Sequence, residues 1–303
     1  MNRRYFLQAL GWSAAGVSSM KLKSLESLFA GGETPRMPVV FFGHGSPMNA
    51  IEENAFVREF RKQADELPTP EAILCVSAHW ETRGTQVTAM ASPRTIHDFG
   101  GFPNELYQVE YPAPGAPALA EEVSGILHRE LETHVALDHA WGFDHGTWSV
   151  VKHLYPLANI PMIQLSLDTQ AGAKEHLAMG EALRLLRRKG VLIIGSGNLV
   201  HNLGKVAWNR MNDPEGFAFD WALEASSLIK TCIQNRDWDQ LGSFAGLGTH
   251  SRKEAIQLAV PSPDHFLPML YIAGLLEKDE GIEFFNDLPV AGSLTMTGVR
   301  SLS

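Results

Sequence analysis

Four apolar runs separated by helix-patterned segments constrain this chain more than any other feature. The runs are "VVFF" (39–42), "AILCV" (72–76), "PMIQLSL" (161–167) and "VLIIGSG" (191–197). Runs of this length, bounded by polar and glycine-containing stretches, read as buried strands. Between and after them lie "AFVREFRKQADEL" (55–67), "ALAEEVSGILHRELE" (118–132), "AKEHLAMGEALRLLRRKG" (173–190) and "FDWALEASSLIKTCIQN" (219–235), with apolar residues at helical spacing. "SPDHFLPMLYIAGLLEK" (262–278) predicts one more helix, with Ser262 as N-cap and Pro263 at its first position. An aromatic loop rich in Pro and Gly runs from about Trp80 to Pro117.

Strands alternating with helices predict a layered α/β fold, with a central, mostly parallel or mixed sheet flanked by helices. The 303 residues contain no Ser/Gly-rich linker, low-complexity tract or internal repeat, so a single domain is expected. A formal charge of −9 without a clustered basic face argues against a nucleic-acid partner. The basic run Arg187-Arg188-Lys189 precedes Gly190, where cations and a glycine suit a helix end, so its role reads as structural. Cys75 and Cys232 form no metal or disulfide pattern, and Cys75 reads as a buried thiol.

The first 36 residues differ from the rest. "MNRRYFLQALGWSAAGVSSM" is similar to a twin-arginine export signal, with Arg3-Arg4 followed by Phe6-Leu7. It departs from that pattern at Asn2, where Ser or Thr is usual, and at Leu28, where cleavage after Ala30 calls for a small residue. The reading is a leader over residues 1–36 that sends the folded protein to the periplasm, with residues 37–303 as the working domain. The alternative is a basic amphipathic leader that stays in the cytoplasm. The stretch is too short and interrupted for stable membrane insertion.

Ligands of open α/β sheets bind beyond the carboxyl ends of the strands. His44 follows "VVFF" by two residues, His79 follows "AILCV" by three, and His201 follows "VLIIGSGNLV" directly. His265 falls in the first turn of the helix expected from Ser262. Three imidazoles can hold a divalent ion and leave positions open for substrate. His145 in "WGFDHGTW" is expected on a loop, as a donor to substrate or oxygen or as a hydrogen-bonded loop residue. His97 in "TIHDFGG" suggests structural or substrate-loop duty. His128, His134, His139, His153, His176 and His250 have no comparable context. Trp80, Phe99, Phe102, Trp141 and Trp148 could wall a planar substrate or fill the core. Gly43 and Gly45 read as the means of clearing space around His44 for an ion and its substrate.

Seven segments occur in order: "GHGSPMN", "SAHWETRGTQVTA", "TIHDFGGFPNELYQVEYPAPG", "WGFDHGTWSVVKHLYP", "PMIQLSLD", "GSGNLVHNL" and "PSPDHFLPMLYIAG". Together, over about residues 37–300, they resemble the 4,5-DOPA extradiol dioxygenase family. That family is a branch of the class III extradiol enzymes, related to the catalytic subunit of protocatechuate 4,5-dioxygenase. The resemblance implies ring cleavage of a catechol beside its diol, with both atoms of O2 incorporated. It implies His44, His79 and His265 as metal ligands and His201 as the catalytic acid/base that takes a catechol proton and returns it. It implies non-haem iron(II) as the catalytic metal, with zinc as a possible occupant. The wider class has a glutamate as third ligand. Here the matching position is His265, and Asp264 beside it is expected to stabilise the helix N-terminus. Three neutral imidazoles would leave the site at about +2, where a carboxylate ligand would leave about +1. The same residues leave two other readings open: a zinc hydrolase with His201 as base, and a metal-binding interaction protein without turnover.

Overall fold

A computed structural model describes residues 34–302 apart from 212, 214 and 248–252. The leader motif around Arg3-Arg4, and His250, lie outside the described residues.

The four apolar runs form the middle of one sheet. They are β1 (Val39–Gly43), β2 (Ala72–Thr82), β5 (Met162–Asp168) and β6 (Val191–Gly197), all mutually parallel in the order β5-β2-β6-β1. β3 (Thr85–Thr88) and β4 (Val135–Asp138) extend the sheet beyond β5, with β3 antiparallel to β5. β7 (Gly281–Phe285) and β10 (Gly298–Leu302) extend it beyond β1 as an antiparallel pair. β8 (Pro289–Val290) and β9 (Leu294–Thr295) form a separate small ribbon. Among the described residues the main sheet thus has eight strands and is mixed: parallel at its centre, with β3 and β4 parallel to each other but antiparallel to β5, and β10 and β7 antiparallel in turn.

Side chains of a strand alternate between faces, and here they sort into two cores. Val39, Phe41, Leu74 and Ile193 face one cluster, while Val40, Phe42, Ile73 and Ile194 face the other. The first face carries α3 (Pro117–Leu131), α5 (Ala173–Ala182), α6 (Asp220–Asn235), α7 (Trp238–Phe244), α8 (Glu254–Ala259) and α9 (Leu267–Leu275). The second carries α1 (Ala55–Glu66), the short α2 (Asn104–Tyr107) and α4 (His145–Leu154). Burial on both faces is why the central strands read as continuous apolar runs.

Several local expectations change. The segment 173–190 is α-helical only to Ala182, then tightens into a 3-10 helix over Leu183–Lys189 that Gly190 ends at φ 72°. Arg187 within it is fully buried, donating to Met37 O, Leu275 O and the Glu280 carboxylate. The last predicted helix starts at Leu267, not after Ser262, and residues 261–266 form a turn ahead of it. Cys75 is buried as expected, and burial pushes its thiol pKa up.

Candidate metal centre

Each histidine reaches the sheet rim by its own device. His44 follows β1 directly, and its N–H donates to Gly197 O at 3.1 Å, continuing the β1–β6 pairing by one residue. His79 lies inside β2. That strand pairs with β6 only as far as Ser77, and its register against β5 shifts between Val76 and Glu81. The chain therefore leaves its neighbours where His79 stands, as bulged strands do beside many sites. His145 is not on a loop: it is the first residue of α4, whose N-cap Asp144 accepts from Thr147 N–H. The N–H of His201 donates to Ala259 O at 2.8 Å, and the carbonyl of His265 accepts from Asn198 N–H at 2.9 Å.

The glycines around His44 serve a different purpose from the one expected. A Cβ on Gly43 would lie 2.6 Å from the backbone of Met296, and one on Gly45 would lie 2.4 Å from Met296 Sδ. Gly45 also adopts φ 65°. These residues admit the Met296 segment against β1; they do not clear room for an ion. Close approach at the site itself belongs to Gly146, where a Cβ would lie 2.7 Å from both His79 Cδ2 and Ser77 Oγ.

Hydrogen bonds fix the tautomers. His44 Nδ1 lies 3.0 Å from Ser196 Oγ, and that hydroxyl donates to Gly146 O at 2.5 Å. With its proton committed, Ser196 accepts from His44, so Nδ1 carries the hydrogen and Nε2 presents a lone pair. His265 Nδ1 donates to Asp264 Oδ2 at 2.5 Å, and His145 Nδ1 donates to Asp98 Oδ2 at 2.9 Å. The same Asp98 oxygen lies 3.3 Å from His79 Nδ1. Metal-bound imidazoles are anchored in this way. Asp264 therefore does not cap α9 but sits behind His265. The carboxylate charge missing from the ligand set returns one residue outward.

The electrostatics agree. Burial first, then the neighbouring imidazoles, push His44 and His79 well below the usual histidine pKa. Burial, with His265 beside it, lowers His201 to about 3. Burial alone would raise Asp98 and Asp264. Hydrogen bonds and charge attraction to His145 and His79 together outweigh it at Asp98, and those to His265, with Ser262 and His201, outweigh it at Asp264, holding both carboxyls below the usual range. Neutral imidazoles backed by ionised carboxylates are a donor set for a divalent cation. His44 Nε2 and His79 Nε2 stand 3.1 Å apart. With hydrogen on Nδ1 in both rings, two lone pairs would face each other there, an arrangement that a cation between them relieves.

Ring spacing sorts the five histidines. Metal–N bonds of about 2.0–2.1 Å place ring centroids about 4.5 Å apart at a right angle and about 5.2 Å apart at a tetrahedral one. His44–His79, His44–His265 and His79–His265 are separated by 4.9, 5.2 and 5.0 Å. His79–His145 at 3.9 Å and His201–His265 at 3.5 Å are closer than ring pairs on one ion. Proximity alone also groups His44 with His79 and His145, and His201 with Asp264 and His265, each set within 4.8 Å.

The remaining residues sort as follows. His97 Nε2 lies 3.0 Å from Val109 O and anchors its loop. His153 bonds Asn49 O, His176 bonds Tyr271, and His128, His134 and His139 are exposed. Trp148 is core, donating to Ile96 O. Phe99 stands edge-on to His145 at 5.5 Å, with Phe102 and Tyr107 beside it, and Trp80 stacks on Trp141. Asp98 and Ser196 escaped the sequence reading. The only signal for Asp98 was a carboxylate beside His97, and for Ser196 a lone hydroxyl in an apolar strand.

A cluster of histidines at the strand ends of a mixed α/β sheet is a candidate metal site of the kind that metal-dependent enzymes use. The family model described as the catalytic LigB subunit of aromatic ring-opening dioxygenase matches residues 37–297. The 4,5-DOPA dioxygenase extradiol of Escherichia coli K12 is 44% identical over 88% of this chain and 94% of its own. That of Beta vulgaris is 33% identical over 85% of this chain and 93% of its own. A crystal structure of an uncharacterized protein from Escherichia coli K12 superposes with a TM-score of 0.74 at 39% identity, covering 88% of this chain and 100% of that one. The chain belongs to the LigB family of aromatic ring-opening dioxygenases. With the family come the activity class, aromatic ring opening with O2, and the need for a metal.

Proposed function

We propose that this chain cleaves a DOPA-like catechol beside its diol, with His44, His79 and His265 holding iron(II). The observation that carries this reading is the near-equal spacing of those three rings, with two further histidines packed closely against the set. The names of its relatives support the substrate class.

When bound, iron(II) supplies the redox chemistry that couples catechol to oxygen, which zinc lacks. The chain's own residues supply the rest. His201 stacks on His265 at the rim and would accept a catechol proton; burial keeps it neutral but also makes it a weak base, so the hydroxyl it serves would need the acidity that a bound metal supplies. His145, with Nδ1 held by Asp98, presents Nε2 as an acceptor for a substrate hydroxyl. Phe99 offers an aromatic edge beside it to a planar ring. Asp98 and Asp264 temper the positive charge of the site without occupying a ligand position.

The test is oxygen uptake by protein reconstituted with iron(II) under nitrogen, then given oxygen and a panel of catechols. A yellow ring-opened product supports the reading, and no uptake across the panel sinks it. The twin-arginine-like leader further supports export of the folded, metal-loaded protein. Recovery of the chain solely in the cytoplasmic fraction would overturn that.

A further inference from the structure

We propose that Asp98 is a positioning residue shared by the ligand His79 and the substrate-facing His145, so that metal binding and the aim of His145 depend on one carboxylate. The proposal rests on the ligand assignment above.

The carboxylate accepts two hydrogen bonds from His145 and stands within ion-pair distance of a ring nitrogen of His79. Its Oδ1 accepts from the His145 backbone at 2.8 Å, and its Oδ2 accepts from His145 Nδ1 at 2.9 Å. His79 Nδ1 stands 3.3 Å from the same Oδ2. A carboxylate only accepts, so it favours the tautomer with hydrogen on Nδ1 in both rings and turns both Nε2 atoms away from itself. The two rings pack 3.9 Å apart with Asp98 behind them.

The segment just before Asp98 is anchored by bonds that do not involve those rings. Ile96 N–H donates to Phe143 O at 2.7 Å, Trp148 Nε1 donates to Ile96 O at 2.8 Å, and His97 Nε2 lies 3.0 Å from Val109 O. The carboxylate thus sits on an anchored segment, between the ring on β2 and the ring on α4. His44 and His265 have acceptors of their own, Ser196 and Asp264. Loss of Asp98 should thus disturb two of the four anchored imidazoles and spare the other two.

Asp98→Asn provides the test, because its single amide oxygen replaces two accepting oxygens at His145 and its amide carries no charge toward His79 Nδ1. Zinc titration against a chromophoric chelator should show an affinity about 10–100-fold weaker than wild type. In zinc-loaded protein labelled with 15N-histidine, the Nδ1–H signals of His79 and His145 should both move while those of His44 and His265 stay. Ser196→Ala should do the reverse, moving His44 alone. Unchanged zinc affinity, movement of His145 without His79, or movement of all four signals would overturn the proposal; the last would reduce Asp98 to a fold contact. His44→Ala in the same titration reports separately on the ligand assignment, which fails if that variant keeps wild-type affinity.

Discussion

The His201 ring lies flat against the His265 ring, with centroids 3.5 Å apart and planes within 6° of parallel. One of the two has its Nδ1 committed to Asp264, and the other makes its anchoring contact through its backbone N–H to Ala259 O. The stack therefore joins a fixed imidazole to one whose ring nitrogens have no hydrogen-bond partner among the described residues.

That difference predicts the behaviour of His201→Ala. The variant should bind metal as wild type does, because the three spaced rings remain, yet lose catechol turnover by at least the ~100-fold typical of a lost acid/base. Metal content and oxygen uptake on one preparation check this. Loss of metal would mean that His201 is a ligand.

Acid should weaken the metal-free protein before the usual carboxylate range is reached. His44, His79 and His201 are held below the unfolded value of about 6.5 by burial, His201 to about 3. Between those values the unfolded chain binds more protons than the folded one. Stability is thus fully present above pH ~6.5 and falls as pH drops toward the folded value, by about 1.4 kcal/mol per pH unit for each such group. Thermal melts from pH 8 to 4 test the sign, and a flat melting temperature across that range contradicts it.

Gly146→Ala sets two effects against each other. Alanine at a helix position gains about 0.5–1 kcal/mol over glycine. Here its Cβ would lie 2.7 Å from His79 Cδ2 and from Ser77 Oγ, in the first turn of α4. Displacement of the His79 ring should win, giving markedly weaker metal binding by chelator competition. Unchanged affinity would show that the ring has room to shift.

Arg187→Met should destabilise the fold by about 3 kcal/mol, because it removes the bidentate partner of the buried Glu280 carboxylate and leaves it Arg36 at 3.7 Å as its remaining cation. The double change Arg187→Met with Glu280→Gln should recover part of that loss. Chemical denaturation of the three proteins tests both statements, and a double variant as unstable as the single one counts against the pairing account.

The sequence by itself determined the centre of the sheet and the set of histidines. β1, β2, β5 and β6 announce themselves because strands buried on both faces must be apolar throughout. The outer strands, such as "TQVT" (Thr85–Thr88) and "VALD" (Val135–Asp138), carry no such run and are defined by pairing with distant segments. The start of α9 shows the limit of local signals. Both Pro263 and Pro268 satisfy the preference for proline at a helix start, and the helix begins beside the second. That leaves His265 in a turn whose carbonyl takes the Asn198 N–H. Only the tertiary structure decided which rings share one centre and what stands behind each of them. Ser196, Asp98 and Asp264 act through hydrogen bonds that span 152 residues in one case and a single residue in another. No periodicity encodes the Ser196 and Asp98 bonds, because their partners meet only when separate segments are brought to a common rim, and the Asp264 bond depends on the turn that holds His265.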